Sequence, residues 1–179
     1  MPGPDLFTLP HKALRAWVGA TATALGGLDT TNFDAIATVV AQLRFLLTDL
    51  DGHGHHENHF IVPVLDLHVS ALAERLRDEH TALESAIATL GSVVDEFELS
   101  PSPTVQLSLY RELRNFEGRN MAHLDFEETV IMPALWQAVA ADDLLAVYQA
   151  FKAAHPESVE LYRRVPGAIT PQQRAMVFA

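Results

Sequence analysis

Two stretches of this chain carry one pattern. His53-x-x-x-Glu57-x-x-x-Ile61-x-Pro63-x-Leu65 is matched gap for gap by His123-x-x-x-Glu127-x-x-x-Ile131-x-Pro133-x-Leu135. Each copy falls in the second half of a long run of helical apolar periodicity. A His and a Glu four residues apart share one face of a helix and sit about one turn apart along its axis. One helix can thereby offer a nitrogen to one metal and a carboxylate that bridges a pair. The proline six residues after each Glu lacks a backbone donor, so it kinks or ends the helix just beyond. A chain built this way must bring two inward-facing His/Glu pairs to a common height.

The remaining periodicity supplies the frame. Thr8-Leu9-Pro10 reads as an N-cap with proline in the first turn. Leu14, Trp17, Val18, Ala22 and Leu25 then recur at three and four until Gly26-Gly27. Thr30-Thr31 reads as the cap of a second helix bearing Phe33, Ile36, Val39, Val40, Leu43 and Leu47. That helix runs through the first motif to Pro63 or a few residues beyond. A third runs from about Ser70 toward Phe97, where Ser100-Pro101-Ser102-Pro103 breaks it. A fourth runs from Thr104 through the second motif to about Ala140. Asp142-Asp143 opens a fifth ending near His155-Pro156, and Thr170-Pro171 caps a short last one. Strand-like alternation with hairpin-spaced turns is missing. The expectation is an all-α, up-down-up-down four-helix bundle over about residues 9–140, with a C-terminal helical appendage over about 141–179. The whole of 1–179 reads as a single domain.

In that topology the second and fourth helices run parallel, and further ligands come from the first and third. His80, in "RDEHTALESA", shares a face with Leu76, Leu83 and Ile87. Its midpoint with His123 falls between Pro101 and Ser102, inside the connection, so the two are level. His11, in "LPHKALR", has its midpoint with His53 at Asn32 and is level with it in the same way, more loosely. The chain thus reads H … HxxxE … H … HxxxE, with His11, His53, Glu57, His80, His123 and Glu127 as candidate ligands. Four imidazoles and two carboxylates exceed the four ligands a structural zinc takes, and fit two metals bridged by Glu57 and Glu127. Cysteine is absent, so thiolate and iron–sulfur ligation are excluded, and imidazole–carboxylate sites for iron, manganese or zinc remain. Ferritin-like di-iron bundles use Glu-x-x-His; here His precedes Glu by four.

Neighbouring residues sort less sharply. Glu84, one turn after His80, either binds the metal, hydrogen-bonds a ligand or serves the helix surface. His55, His56 and His59 read as bystanders, because the second motif has Asp125 and Thr129 where the first has His55 and His59. Asp49, Asp51, Asp125 and Glu128 either accept from the outer ring nitrogens of ligating histidines or are solvated. Tyr110 reads as core. Gly52 and Gly54 each weaken the helix by about 1 kcal/mol against alanine, permitting close helix approach or local flexibility.

With these motifs the chain resembles the hemerythrin-like, or HHE cation-binding, family over about Leu9 to Trp136. "HKALR" and "EETVIMPALW" are similar to its bacterial branch. The resemblance implies a non-haem centre of two iron ions joined by two carboxylates and an oxo or hydroxo bridge, with other divalent metals as alternatives. By motif position it makes His11, His53, Glu57, His80, His123 and Glu127 the ligands. The oxygen carriers of the family differ in two places. They have a second His four residues after the third-helix His, where this chain has Glu84. Their last carboxylate is an Asp five residues after its His, where this chain has Glu127 at four. One imidazole fewer implies an open iron position or an extra carboxylate ligand. That points away from reversible oxygen carriage and toward binding of, or reaction with, dioxygen, peroxide or nitric oxide. An iron- or oxygen-sensing or iron-handling protein without catalysis, and a di-iron oxidase acting on an organic substrate, stand as alternatives.

The formal net charge of −11 repels a phosphate backbone, so nucleic acid is not an expected partner. No apolar run approaches the roughly 20 residues a membrane helix needs. The start, MPGPDLFTLP, has neither a basic flank nor an apolar h-region. A cytoplasmic location is the expectation.

Overall fold

Apolar positions at three- and four-residue spacing build a helical architecture in the computed structural model, which describes residues 3–154 and 159–178. In chain order come α1 (Thr8–Gly26), α2 (Phe33–Phe60), the short α3 (Val62–His68), α4 (Ser70–Leu99) and α5 (Pro103–Phe126). A five-residue π-helical turn, Glu127–Ile131, carries α5 directly into α6 (Met132–Ala138). Then follow α7 (Ala141–Ala154), α8 (Val159–Arg164) and α9 (Pro171–Val177). Among the described residues there is no strand, and no helix is long and apolar enough to cross a membrane.

The four long helices form a ring in the order α1, α2, α4, α5, with α1 closing onto α5. Contacts between sequence-distant residues give their directions. Arg44 on α2 pairs with Asp95 and Glu98 on α4, while Glu57 farther along α2 meets His80 earlier on α4. Gln106 near the start of α5 donates to the carbonyls of Leu25 and Leu28 at the end of α1. Adjacent helices are therefore antiparallel, as up-down-up-down topology requires.

Helix ends differ in detail from the sequence reading. Thr8 does not cap α1; the Asp5 carboxylate accepts from the backbone N–H of Phe7 and Thr8 and from the Thr8 hydroxyl. Thr30-Thr31 does not cap α2 either. Asn32 Oδ1 accepts from the Ala35 N–H, and Thr31 is held in a turn by Asp29. Both replacements obey the same rule, that a short side-chain oxygen must meet the orphan donors of the first turn. Ser102 caps α5, and Thr170 with Gln173 forms a capping box on α9. The short α8 has no counterpart in the sequence reading, and the expected helix end at His155-Pro156 lies outside the described residues. Arg164 on α8 sits 3.8 Å from the centre of the Phe45 ring and 5.7 Å from that of Trp17, tying the C-terminal segment to α1 and α2.

The core falls into two apolar clusters. One holds Leu14, Val18, Leu25, Leu43, Leu46, Leu90, Phe97, Leu109, Leu113 and Phe116. The other holds Phe7, Ile61, Leu65, Leu76, Phe126, Ile131 and Leu135. Three times the chain crosses from one to the other past a buried polar residue: His11 lies between Phe7 and Leu14, Glu57 between Leu50 and Ile61, His80 between Leu76 and Ala86. Full burial of each large apolar side chain contributes about 1.5–3 kcal/mol, so these clusters hold the polar layer between them in place.

Candidate metal centre

Four helices each deliver an imidazole into that layer. His11 comes from α1, His53 from α2, His80 from α4 and His123 from α5. Glu57 stands one turn after His53, and Glu127 opens the π turn one turn after His123. All six residues are buried except His53, whose side chain is 12 % exposed.

The nitrogens and carboxylates interlock. Glu57 Oε1 lies 3.2 Å from His53 Nε2 and 3.7 Å from His11 Nε2, while its Oε2 lies 3.3 Å from His80 Nε2. Glu127 Oε2 lies 3.4 Å from His11 Nε2, and its Oε1 lies 3.2 Å from His123 Nε2 and 3.5 Å from His80 Nε2. Two overlapping groups result, His11–His53–Glu57–Glu127 and Glu57–His80–His123–Glu127, each with ligand-capable atoms within 4.8 Å of one another. Both carboxylates belong to both groups. The rings are paired as the helix heights required, with centroids 5.2 Å apart for His11 and His53 and 4.9 Å for His80 and His123.

This layer fits a cation. His11, His53 and His80 Nε2, Glu57 Oε2 and both Glu127 oxygens are buried without a hydrogen-bond partner. Unpaired buried polar atoms are costly, and here six converge on one place. The donors are all nitrogen and oxygen, the set that suits iron, manganese or zinc. The electrostatics agree. Burial opposes protonation of His11, yet Glu128, Glu57 and Glu127 outweigh it and push its pKa up to about 9. Burial likewise opposes protonation of His80, but Glu127 and Glu57 push it up to about 9. Burial would raise Glu57, but His53, His11 and His80 hold it well below the usual carboxylate range. Two buried carboxylates demand positive charge; protons supply it on His11 and His80 where no metal does.

The outer ring nitrogens are anchored from neighbouring helices. His11 Nδ1–H donates to Glu128 Oε1 at 2.9 Å, and Arg15 pairs with the same oxygen at 2.5 Å. His123 Nδ1–H donates to Glu79 Oε2 at 3.0 Å, and Arg75 pairs with Glu79 at 2.8 Å. His80 Nδ1–H donates to Asn58 Oδ1 at 2.8 Å. These acceptors hold a proton on Nδ1, so that the inward-facing Nε2 is the nitrogen that would give up its proton to a metal. Glu128 was among the sequence candidates for this task; Glu79 and Asn58 were not. Their signal is adjacency. Asn58 follows Glu57 as Glu128 follows Glu127, and Glu79 precedes His80. Asp49, Asp51 and Asp125 make no such contact: Asp51 faces His55, and Asp125 is exposed.

The π turn was not foreseen. Pro133 cannot donate a backbone hydrogen bond, and the ladder widens ahead of it so that Met132 N–H reaches Glu127 O. At the first motif the backbone answers Pro63 differently, ending α2 at Phe60 and restarting as α3.

Glu84 is not in either group. It lines, with Leu50, His53, His80, Asn120 and His123, a cavity of ≈ 20 Å³ beside them. His55 has a 61 % exposed side chain bonded back to its own helix. The His56 ring lies against Phe151 and the His59 ring against Phe60, neither in the buried layer. Tyr110 packs on the core against Gly26.

No curated protein matches the chain. The family model described as the hemerythrin HHE cation binding domain matches residues 3–135, from ahead of α1 into α6, a segment that contains every residue of both groups. The chain belongs to the hemerythrin HHE cation-binding family.

Proposed function

We propose that His11, His53, Glu57, His80, His123 and Glu127 ligate two iron ions, with Glu57 and Glu127 bridging them, and that this centre binds or reacts with dioxygen, peroxide or nitric oxide. The observation that carries the reading is that both carboxylates are shared between both three-dimensional groups. An iron pair held this way supplies redox equivalents and a coordination position for a small oxidant. The protein's own residues do the rest. Glu128, Glu79 and Asn58 aim three imidazoles, the two apolar clusters keep bulk water from the layer, and Arg15 and Arg75 offset the charge of the outer glutamates. Four imidazoles and two carboxylates would hold such a pair and would leave room for an exogenous ligand.

The test is metal analysis with an optical spectrum of the purified protein. Two irons per chain and a near-ultraviolet band of a bridged pair, shifted by azide, support the reading. A well-folded preparation with far less metal, which also fails to take up iron(II) without oxygen, refutes it.

A further inference from the structure

The six residues repeat one another in space as closely as their motifs do along the chain. Exchanging His11 with His80, His53 with His123 and Glu57 with Glu127 maps each contact onto another. His53 Nε2 to Glu57 Oε1 and His123 Nε2 to Glu127 Oε1 are both 3.2 Å. His11 lies 3.4 Å from Glu127, and His80 lies 3.3 Å from Glu57. His11 lies 3.7 Å from Glu57, and His80 lies 3.5 Å from Glu127. The layer is a quasi-two-fold site.

The outer ring nitrogens obey the same exchange, with one exception. The residue after each shared carboxylate anchors an imidazole across the layer: Glu128 accepts from His11 at 2.9 Å, and Asn58 accepts from His80 at 2.8 Å. The residue before His80, Glu79, accepts from His123 at 3.0 Å. Its counterpart, the residue before His11, is Pro10, whose side chain offers no acceptor. Among the described residues, His53 alone of the four imidazoles meets no acceptor at Nδ1. The surroundings of His53 agree. Its side chain is 12 % exposed against 5 % for His123, and it stands between Gly52 and Gly54 where His123 stands between Ala122 and Leu124. Glycine loosens a helix locally, so neither a carboxylate nor a stiff backbone fixes this ring.

We propose that the two metal positions are unequal: the His80/His123 half fills first and empties last, and Pro10 makes the His11/His53 half the exchangeable one. The proposal rests on the metal reading above and adds an order of filling to it. A ligating histidine without its outer partner binds metal about 10- to 100-fold more weakly. Over that range of free metal the chain holds one ion. Because Glu57 and Glu127 belong to both groups, that ion keeps a full set of His80, His123 and both carboxylates.

The experiment uses the full chain and iron(II) without oxygen, with bound iron measured after equilibration against a graded series of metal buffers. Wild type should load in two steps of one iron each, separated about 10- to 100-fold in free iron(II). Repulsion between two ions also splits the steps, so variants carry the assignment. His53→Ala should keep the tight step and lose the weak one, whereas His123→Ala should lose the tight step. Position 10 lies in the first turn of α1, where a backbone N–H has no helical partner and a carboxylate suits the helix dipole. Pro10→Glu should therefore fold, tighten the weak step about tenfold and leave the tight step within about twofold. Pro10→Ala, which adds no acceptor, should leave both steps unchanged. A tight step lost in His53→Ala and kept in His123→Ala overturns the proposal. So does Pro10→Glu matching Pro10→Ala, or moving both steps alike as a charge acting only through space would. In each case two irons per wild-type chain leave the metal reading standing. Wild type that takes up no iron overturns the metal reading and this inference with it.

Discussion

Removing the Glu128 carboxylate tests how the imidazoles are aimed. His11 is wholly buried, and its outer nitrogen donates to Glu128 Oε1 at 2.9 Å while Arg15 holds the same oxygen at 2.5 Å. Burial would raise the Glu128 pKa, yet His11 and Arg15 hold it at about 2. In Glu128→Ala, His11 Nδ1–H loses its acceptor in an apolar layer, a loss of about 1–3 kcal/mol. The Glu128 side chain is 23 % exposed, so water replaces part of that contact and the expected loss falls to about 1–2 kcal/mol. If His11 is a ligand, that is roughly a 5- to 30-fold loss of metal affinity. Competition against a chromophoric chelator reads this directly, with Asp125→Ala, an exposed neighbour, as control. Glu128→Gln keeps an acceptor and should recover most of the affinity. Affinity within twofold of wild type in Glu128→Ala, or a Gln variant as weak as the Ala variant, would refute the argument.

Further outcomes follow from the same geometry. His53→Ala should lose metal from the group it shares with His11, whereas His55→Ala, outside both groups, should keep it; metal analysis of the two variants decides this. Asp49, on α2, has an Oδ2 sealed without a partner, and burial pushes its pKa up to about 6 despite Arg164. A carboxyl raised in the folded state weakens the fold as pH rises through that value and is harmless well below the unfolded value near 4. Asp49→Asn should therefore stabilise at pH 7.5 by about 1–2 kcal/mol after allowance for partial exposure, roughly 3–6 °C in Tm, and by almost nothing at pH 4. An equal gain at both pH values would disprove the assignment. Gly52→Ala places its new Cβ 3.9 Å from His56 Cε1, an ordinary contact, so thermal melts should show a gain of about 0.5–1 kcal/mol with metal content unchanged. A loss would mean that close approach at Gly52 matters after all.

The bundle was legible because every apolar stripe obeyed one period, and because Gly26-Gly27 and Ser100 to Pro103 break the chain where helices must turn. His80 and His123 could be matched in height from the hairpin between them, since equal residue counts on either side of a turn imply equal rise. Helix caps were misread at Thr8 and Thr30-Thr31. Asp5 and Asn32 are equally good cap residues a few positions away, and propensity does not choose between them.

What the sequence determined on its own is the inventory: two His/Glu pairs on single helix faces, two further histidines in register, and no cysteine. Those are local facts of spacing, and helix geometry alone turns them into one layer. Tertiary structure decided which atoms in that layer meet. Glu57 reaches His80 and Glu127 reaches His11 only because α1, α2, α4 and α5 close into a ring. Glu79 and Asn58 became ring anchors for the same reason, each meeting an imidazole on a different helix. The π turn at Glu127 also belongs here. The two motifs share their spacing and their proline, yet the backbone widens at one and breaks at the other, so the local sequence pattern alone does not choose between the two responses.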